Sequence, residues 1–337
     1  MTDKEWIQQT IKRGRTGSVP YNFSFSPPAA QAVRAHYGDD LEENLSLPIR
    51  MIGLKSPKPL YASPDEFGDT ARDEFGVVWS TSRMDRGVPV GPCLPEPDLA
   101  GYVFPDPLLA GRFSGLDEWC SRQEQHFRII WAGDLWERAA FMRGMENILL
   151  DVALNRAFVK ALLERLAEHI LATIQNLAGR YSFEAVAISD DYGMQKGMLI
   201  SPADWRELVK PRLSEIYALA KKHGLAVFHH SCGHITPIIG DMIDIGLDIL
   251  HPIQPEAMDI YFLKRQFGSH LTFCGGIPTQ TLLVRATPLE IRDEVRKLKR
   301  QMGENGGYIL EPGITLQAGV PLENMIAMID EARAPGC

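Results

Sequence analysis

The chain has 337 residues, with 35 Lys and Arg against 43 Asp and Glu, and a formal net charge of −8. That balance excludes nucleic acid or an anionic membrane as the main partner, because both select clustered Lys and Arg, and the densest early basic run, Lys12, Arg13 and Arg15, is short. No apolar stretch approaches the ~20 residues of a membrane-spanning helix, and Met1 to Trp6 lack the apolar core of a secretion signal.

Cys93, Cys120, Cys232, Cys274 and Cys337 are odd in number and show no paired spacing, so reduced thiols and a cytoplasmic location are expected. Asp3 to Lys12 reads as an amphipathic helix with Gly14 at its stop. From Ser18 to Pro107 the chain is rich in Pro, Gly and charge, and no internal repeat is evident. Asp73 to Trp79 predicts a turn into a strand, followed by a loop from Arg83 to Pro92. Such a stretch predicts a lid that tunes specificity rather than performing chemistry. Trp131 to Arg138 predicts a strand end and a helix start, with Trp131 or Trp136 lining an apolar pocket or packing in the core. Met142, Met145, Met194 and Met198 read as gap fillers.

Strand and helix signals then alternate. Ala185 to Ser189 is an apolar strand running into Asp190 and Asp191. Ser201-Pro202-Ala203-Asp204 starts a helix with a capping serine and a first-turn proline, running toward Lys222 with a kink at Pro211 and a stop at Gly224. The next strand ends in His230-Ser231-Cys232-Gly233, where alternation points His230 and Cys232 one way and Ser231 the other. Asp248 to Leu250 leads into His251-Pro252-Ile253-Gln254, and Leu271 to Phe273 into Cys274-Gly275-Gly276. Thr287-Pro288-Leu289-Glu290 repeats the helix-start signal, and Tyr308 to Leu310 leads into Glu311-Pro312-Gly313.

This order predicts a parallel sheet with right-handed crossovers, and in a (β/α) barrel the strand ends would gather at one mouth. The expectation is one α/β domain over residues 1–337, a (β/α)8 TIM barrel in which 1–107 form an irregular N-terminal cap and 108–337 the main barrel. Each site residue also has a structural use. His230 and Cys232 can be core, Asp190 and Asp191 can cap a turn, His251 can satisfy a carbonyl, Glu311 can form an ion pair, and Gly275 and Gly276 can serve close packing.

The motifs Asp190-Asp191-Tyr192-Gly193-Met194-Gln195, His230-Ser231-Cys232-Gly233, His251 to Ala257, Phe273-Cys274-Gly275-Gly276 and Gly306 to Leu310 resemble the uroporphyrinogen decarboxylase superfamily, over roughly residues 125–330. The resemblance implies a (β/α)8 barrel with one of two chemistries: cofactor-free decarboxylation, or methyl transfer to or from a corrinoid with zinc held by a His-x-Cys pair and a later Cys. It places zinc on His230 and Cys232. The later Cys would fall near Gly313, where none is present, so Cys274 is expected to take its place, with Glu311 or Asp190 as an oxygen ligand. Asp190, Asp191, His251 and Glu311 are the expected catalytic groups, and Gln254, Gly275 and Gly276 the expected cofactor contacts.

The chain lacks an Asp-x-His-x-x-Gly cobalamin signature, so a corrinoid would arrive on a partner protein, and the small substrate would be a methylated compound or a thiol. A porphyrinogen would need an arginine clamp of the Arg-Gln-Ala-Gly-Arg type. Arg13-Gly14-Arg15 is a poor substitute, and Arg83 and Arg86 suit a smaller anion. The alternatives are a metal-free lyase, in which Asp190 or Asp191 stabilises a developing cation, and a catalytically inactive binding barrel. Pairing into a homodimer also follows from the resemblance.

Overall fold

The computed structural model describes residues 1–14, 16–56 and 62–335, so Arg15 and Cys337 lie outside the described residues. The described residues form ten strands: β1 (Ile49–Gly53), β2 (Thr70–Arg72), β3 (Val78–Ser80), β4 (Pro89–Gly91), β5 (Phe127–Gly133), β6 (Ala185–Ser189), β7 (Ala226–His230), β8 (Ile249–Ile253), β9 (Thr272–Ile277) and β10 (Tyr308–Pro312). Seven of them form one parallel sheet in the order β1-β5-β6-β7-β8-β9-β10. The other three form a small antiparallel sheet, β2-β3-β4, in the region expected to be a cap.

Side-chain alternation explains the curl of the large sheet. Ile49, Phe127 and Ile129, Ala185 and Ala187, Phe228, Ile249, Cys274 and Ile309 form one buried cluster, drawn from alternate positions of every strand. Because Ile49 on one edge strand and Ile309 on the other belong to the same cluster, the sheet must close around its inner face. Ile7 completes that cluster from the first helix, Asp3–Ile11, which contacts β1, β5 and β10 and so plugs the amino ends of the strands. A capping box between Thr2 and Glu5 starts this helix. The opposite faces of the strands carry Ile130, Val186, Ile188, Val227, Leu250, Phe273 and Leu310 into the outer core against the helices.

At the β10 edge the chain near its start runs alongside as an extended segment, with parallel bridges from Tyr21 to Leu310 and from Phe25 to Leu316. The expected eight-stranded closure is therefore approached from this side, while no strand pairing joins this segment to β1 among the described residues. Both β1 and this segment come from residues 1–107, so the sheet draws on the stretch read as a cap. In β1 the apolar alternation is masked by Arg50, which is buried because its guanidinium donates to the Leu47 carbonyl and to Glu43 and also faces Glu42.

Strands β8, β9 and β10 extend past the positions read as their ends, taking in His251, Cys274 and Glu311. The helix begun by Ser201 is split into Pro202–Leu208 and Lys210–Lys222, as Pro211 requires. Met145 and Met194 are exposed and fill no core gap, whereas Met142 is buried. No helix among the described residues is long and apolar enough to cross a membrane.

Candidate active site at the carboxyl ends of the strands

His230 ends β7 on the inner face, and the next three residues are held by backbone contacts. Ser231 turns to the other side, where its Oγ accepts the Tyr192 N–H at 3.1 Å. Gly233 has φ +80, and a Cβ there would approach the Gly193 backbone to 2.4 Å, so glycine is required where these two loops touch. The Gly233 N–H donates to Gln254 Oε1 at 2.5 Å and the Cys232 N–H to Asp191 Oδ1 at 2.7 Å. Gln254, expected as a cofactor contact, is buried and acts on this turn.

The result is a half-buried trio. His230 Nε2 lies 3.5 Å from Cys232 Sγ and 3.6 Å from Asp191 Oδ1, and one donor atom from each of the three falls within a 4.8 Å span. A second trio lies deeper: His251, Cys274 and Glu311 also bring their donor atoms within 4.8 Å of one another. Cys274 Sγ donates to Glu311 Oε2 at 2.9 Å, and His251 Nε2 lies 3.6 Å from the same oxygen. The trios are joined by the two imidazoles, whose Nδ1 atoms are 2.9 Å apart. Cys274 thus belongs with Glu311 and His251, while Asp191 accompanies the His230–Cys232 pair.

Burial sets the protonation states. It lowers the pKa of His230 and, with His230 as a like charge beside it, drives that of His251 well below its ordinary value, so both rings favour the neutral form. Burial and then the Asp191 and Glu137 charges push the Cys232 thiol up, and burial with Glu311 does the same to Cys274. Glu311 is raised to about 7 by burial, offset in part by hydrogen bonds from Cys274 and Asn22.

The two aspartates after β6 part ways. Asp190 is fully buried: its Oδ1 accepts the N–H groups of Leu135 and Glu137, each at 2.9 Å, and its Oδ2 faces the Tyr192 hydroxyl at 3.0 Å. It pins the loop after β5 and does not reach the inner face. Gly275 and Gly276 are tightly enclosed, since a Cβ at Gly275 would come 2.7 Å from Ile253 N and one at Gly276 2.8 Å from the Tyr308 hydroxyl. Trp136 is buried in the outer core, whereas Trp131 is half-buried with its ring 6.3 Å from that of His230.

Several participants escaped the sequence reading. Asn22 Nδ2 donates to Glu311 Oε1 at 3.1 Å across 289 residues of chain. Glu137, in the first turn of the helix after β5, accepts from Ser189 Oγ at 2.9 Å and is raised to about 7 by burial and then by Asp191 and Asp134. Of the two arginines that the sequence offered to a small anion, Arg86, in the loop between β3 and β4, does reach this site, 3.9 Å from Glu137, while Arg83 is paired with Asp65. Ser189 was in view, because strand alternation puts it on the inner face two residues before Asp191.

Residues 132–335 match the family model described as uroporphyrinogen decarboxylase (URO-D). The chain belongs to the uroporphyrinogen decarboxylase family. Among curated relatives, the methylcobamide:CoM methyltransferase MtaA of Methanosarcina barkeri is 25% identical over 146 residues, which are 43% of this chain and 40% of that protein. A uroporphyrinogen decarboxylase of Thermus thermophilus is 27% identical over 146 residues, 40% of this chain and 39% of that protein. The chain is therefore aligned to well under half the length of either relative. A solved methyltransferase from Methanosarcina mazei superposes with a TM-score of 0.75 over 98% of both chains at 17% identity, which establishes a shared fold. The curated relatives are enzymes of two kinds, a methyltransferase and decarboxylases.

Proposed function

We propose that this uroporphyrinogen decarboxylase family member is a methyltransferase that moves a methyl group between a small methylated compound or thiol and a corrinoid carried by a separate protein. The curled sheet with its N-terminal edge segment is read as a (β/α)8 barrel, and the strand carboxyl ends as its mouth. The observation that carries the reading is the trio Asp191, His230 and Cys232, which joins imidazole, thiol and carboxylate within 4.8 Å. That donor set fits zinc, which takes N, S and O ligands and in catalytic sites keeps a fourth position open. Zinc bound there would act as a Lewis acid that favours a thiolate from a bound thiol or polarises a bound oxygen.

The remaining steps belong to the chain's own groups. For Nε2 of His230 to present a lone pair toward Cys232 and Asp191, its proton must be on Nδ1, donated to Nδ1 of His251. His251 then carries its proton on Nε2, facing Glu311, whose other oxygen is held by Asn22. The deeper trio is thereby assigned to fixing the tautomer and orientation of His230, with Cys274 as a hydrogen-bond donor within that set. The Cys232 thiol, pushed up by burial and by neighbouring carboxylates, must lose its proton when metal binds, and Glu137 is the neighbouring carboxylate outside the donor set that can accept it. Trp131 forms an aromatic wall beside His230 for a methylated substrate.

A lyase reading rests on the decarboxylase relatives and on Asp191, the aspartate on the inner face, as the group that would stabilise a developing cation. The two readings separate on metal content and methylcobalamin:thiol transfer, measured for the wild type and for Cys232→Ser. About one zinc per chain, lost with transfer in Cys232→Ser, is expected. A wild type without zinc after anaerobic reconstitution refutes the methyltransferase reading.

A further inference from the structure

At the opposite end of the sheet, around the amino ends of β9 and β10, lies a cleft of about 1750 Å³. Among the described residues six basic side chains line it: Arg13, Lys264, Arg265, Arg296, Lys299 and Arg300. Among the described residues only two acids, Glu304 and Glu331, line it with them, although acids outnumber bases in the chain as a whole. Two of the six cations are committed elsewhere. Arg296 is paired with Glu331 at 2.9 Å, and Lys299 donates to the carbonyls that end the last helix, including Ala334 O at 2.7 Å.

The other four lack a carboxylate partner among the described residues. Arg13 Nε donates to Gly268 O at 2.9 Å and Lys264 Nζ to Gly306 O at 2.5 Å, which satisfies donors without forming an ion pair. The Nη2 of Arg13 is buried with no hydrogen-bond partner among the described residues. Asp248, the acid that Arg13 feels, is itself paired with Lys221 at 2.7 Å. Arg265 and Arg300 are exposed at the rim and make no ion pair among the described residues. Lys264 also registers the crowding: burial, then the Arg13 charge, lower its pKa to about 8, with Glu304 acting weakly against them. Arg13 and Lys264, close enough for one charge to act on the other, line the same cleft as the unpaired Arg265 and Arg300, and that local excess of positive charge favours an anion there.

We propose that this cleft is a second ligand site, for a small molecule bearing a diphosphate group. Four uncommitted cations match the charge of two linked phosphates, and guanidinium forks complement phosphate oxygens. Binding here involves none of the residues of the strand carboxyl ends, so it stands independently of the methyl-transfer reading.

Inorganic pyrophosphate, titrated calorimetrically at ionic strength held constant with KCl, is the probe. One saturable site is expected in the wild type, with the dissociation constant raised at least tenfold in Arg265→Ala/Arg300→Ala. Both replaced side chains are exposed, so the variant should keep its circular dichroism and its thermal midpoint. Absence of saturable binding, or unchanged affinity in the double variant, overturns the proposal. Citrate binding as tightly as pyrophosphate overturns the phosphate assignment.

Discussion

Replacing Asp190 separates a scaffold role from a chemical one. The carboxyl is fully buried and holds three partners: the N–H groups of Leu135 and Glu137, and the Tyr192 hydroxyl. Asp190→Ala strands these groups away from water, and each unsatisfied buried group costs about 1–3 kcal/mol. Allowing for non-additivity within one network, a loss on the order of 4 kcal/mol is expected. Asp190→Asn keeps an oxygen for the two N–H groups and offers an amide to the tyrosine oxygen. Burial raises the Asp190 pKa well above its ordinary value, so a neutral amide is close to the form the site favours. Its cost should be under about 1 kcal/mol, with methyl transfer retained within a few-fold. The assays are urea unfolding midpoints and methylcobalamin:thiol turnover on the same preparations. If Asp190→Asn folds as stably as the wild type yet loses more than a hundredfold in kcat, Asp190 acts on substrate and the scaffold assignment is wrong.

The other predictions concern the cap and the deeper trio. His169 packs against the ring of Phe75, with centroids 5.3 Å apart, and its pKa is lowered to about 4 by burial and then by the Arg112 charge, with the Pro105 carbonyl and Asp134 opposing and Arg138 adding. The folded state therefore binds this proton less tightly than the unfolded chain, so His169 contributes stability above about pH 6.5 that is lost as pH falls toward about 4. His169→Gln should flatten the thermal midpoint across that window, and an unaltered pH profile would remove His169 as the cause. Asn22→Ala deletes one of the hydrogen bonds that hold Glu311 down, so the Glu311 carboxyl should titrate above about 7 in the metal-free protein, read by carboxyl carbon NMR. About 1–2 kcal/mol of stability should go with it, and an unchanged titration would show that Asn22 does not act on Glu311. Cys274→Ala should leave zinc stoichiometry near that of the wild type, in contrast to Cys232→Ser. Loss of the metal in both would return Cys274 to the ligand set.

Local signals carried the strand and helix assignments well. Ala185–Ser189 is a strand with the limits that its apolar run marks. Ser201 and Thr287 each cap a helix through a side-chain oxygen that accepts the N–H three residues on, as their spacing requires. These features depend on neighbours within four residues, which the sequence displays directly. The edge segment bearing Asn22 does not have that advantage. Its partners on β10 are nearly 290 residues away, and nothing in Tyr21-Asn22-Phe23 states which edge it will line.

The candidate metal ligands show the same limit in a different form. Alternation could separate Asp191 from Asp190, since Ser189 faces inward and the next inward position is 191. It also places Cys274 correctly on the inner face, in the cluster with Ile249 and Ile309. What it cannot supply is depth along the strand, because β9 continues to Ile277 while β7 stops at His230. At a rise of about 3.3 Å per residue, those three further residues set Cys274 roughly 10 Å below the end of its own strand, beside Glu311 and away from the turn that carries Cys232. Facing the same interior is thus necessary for sharing a metal but not sufficient, and the length of each strand beyond the candidate ligand decides which side chains meet.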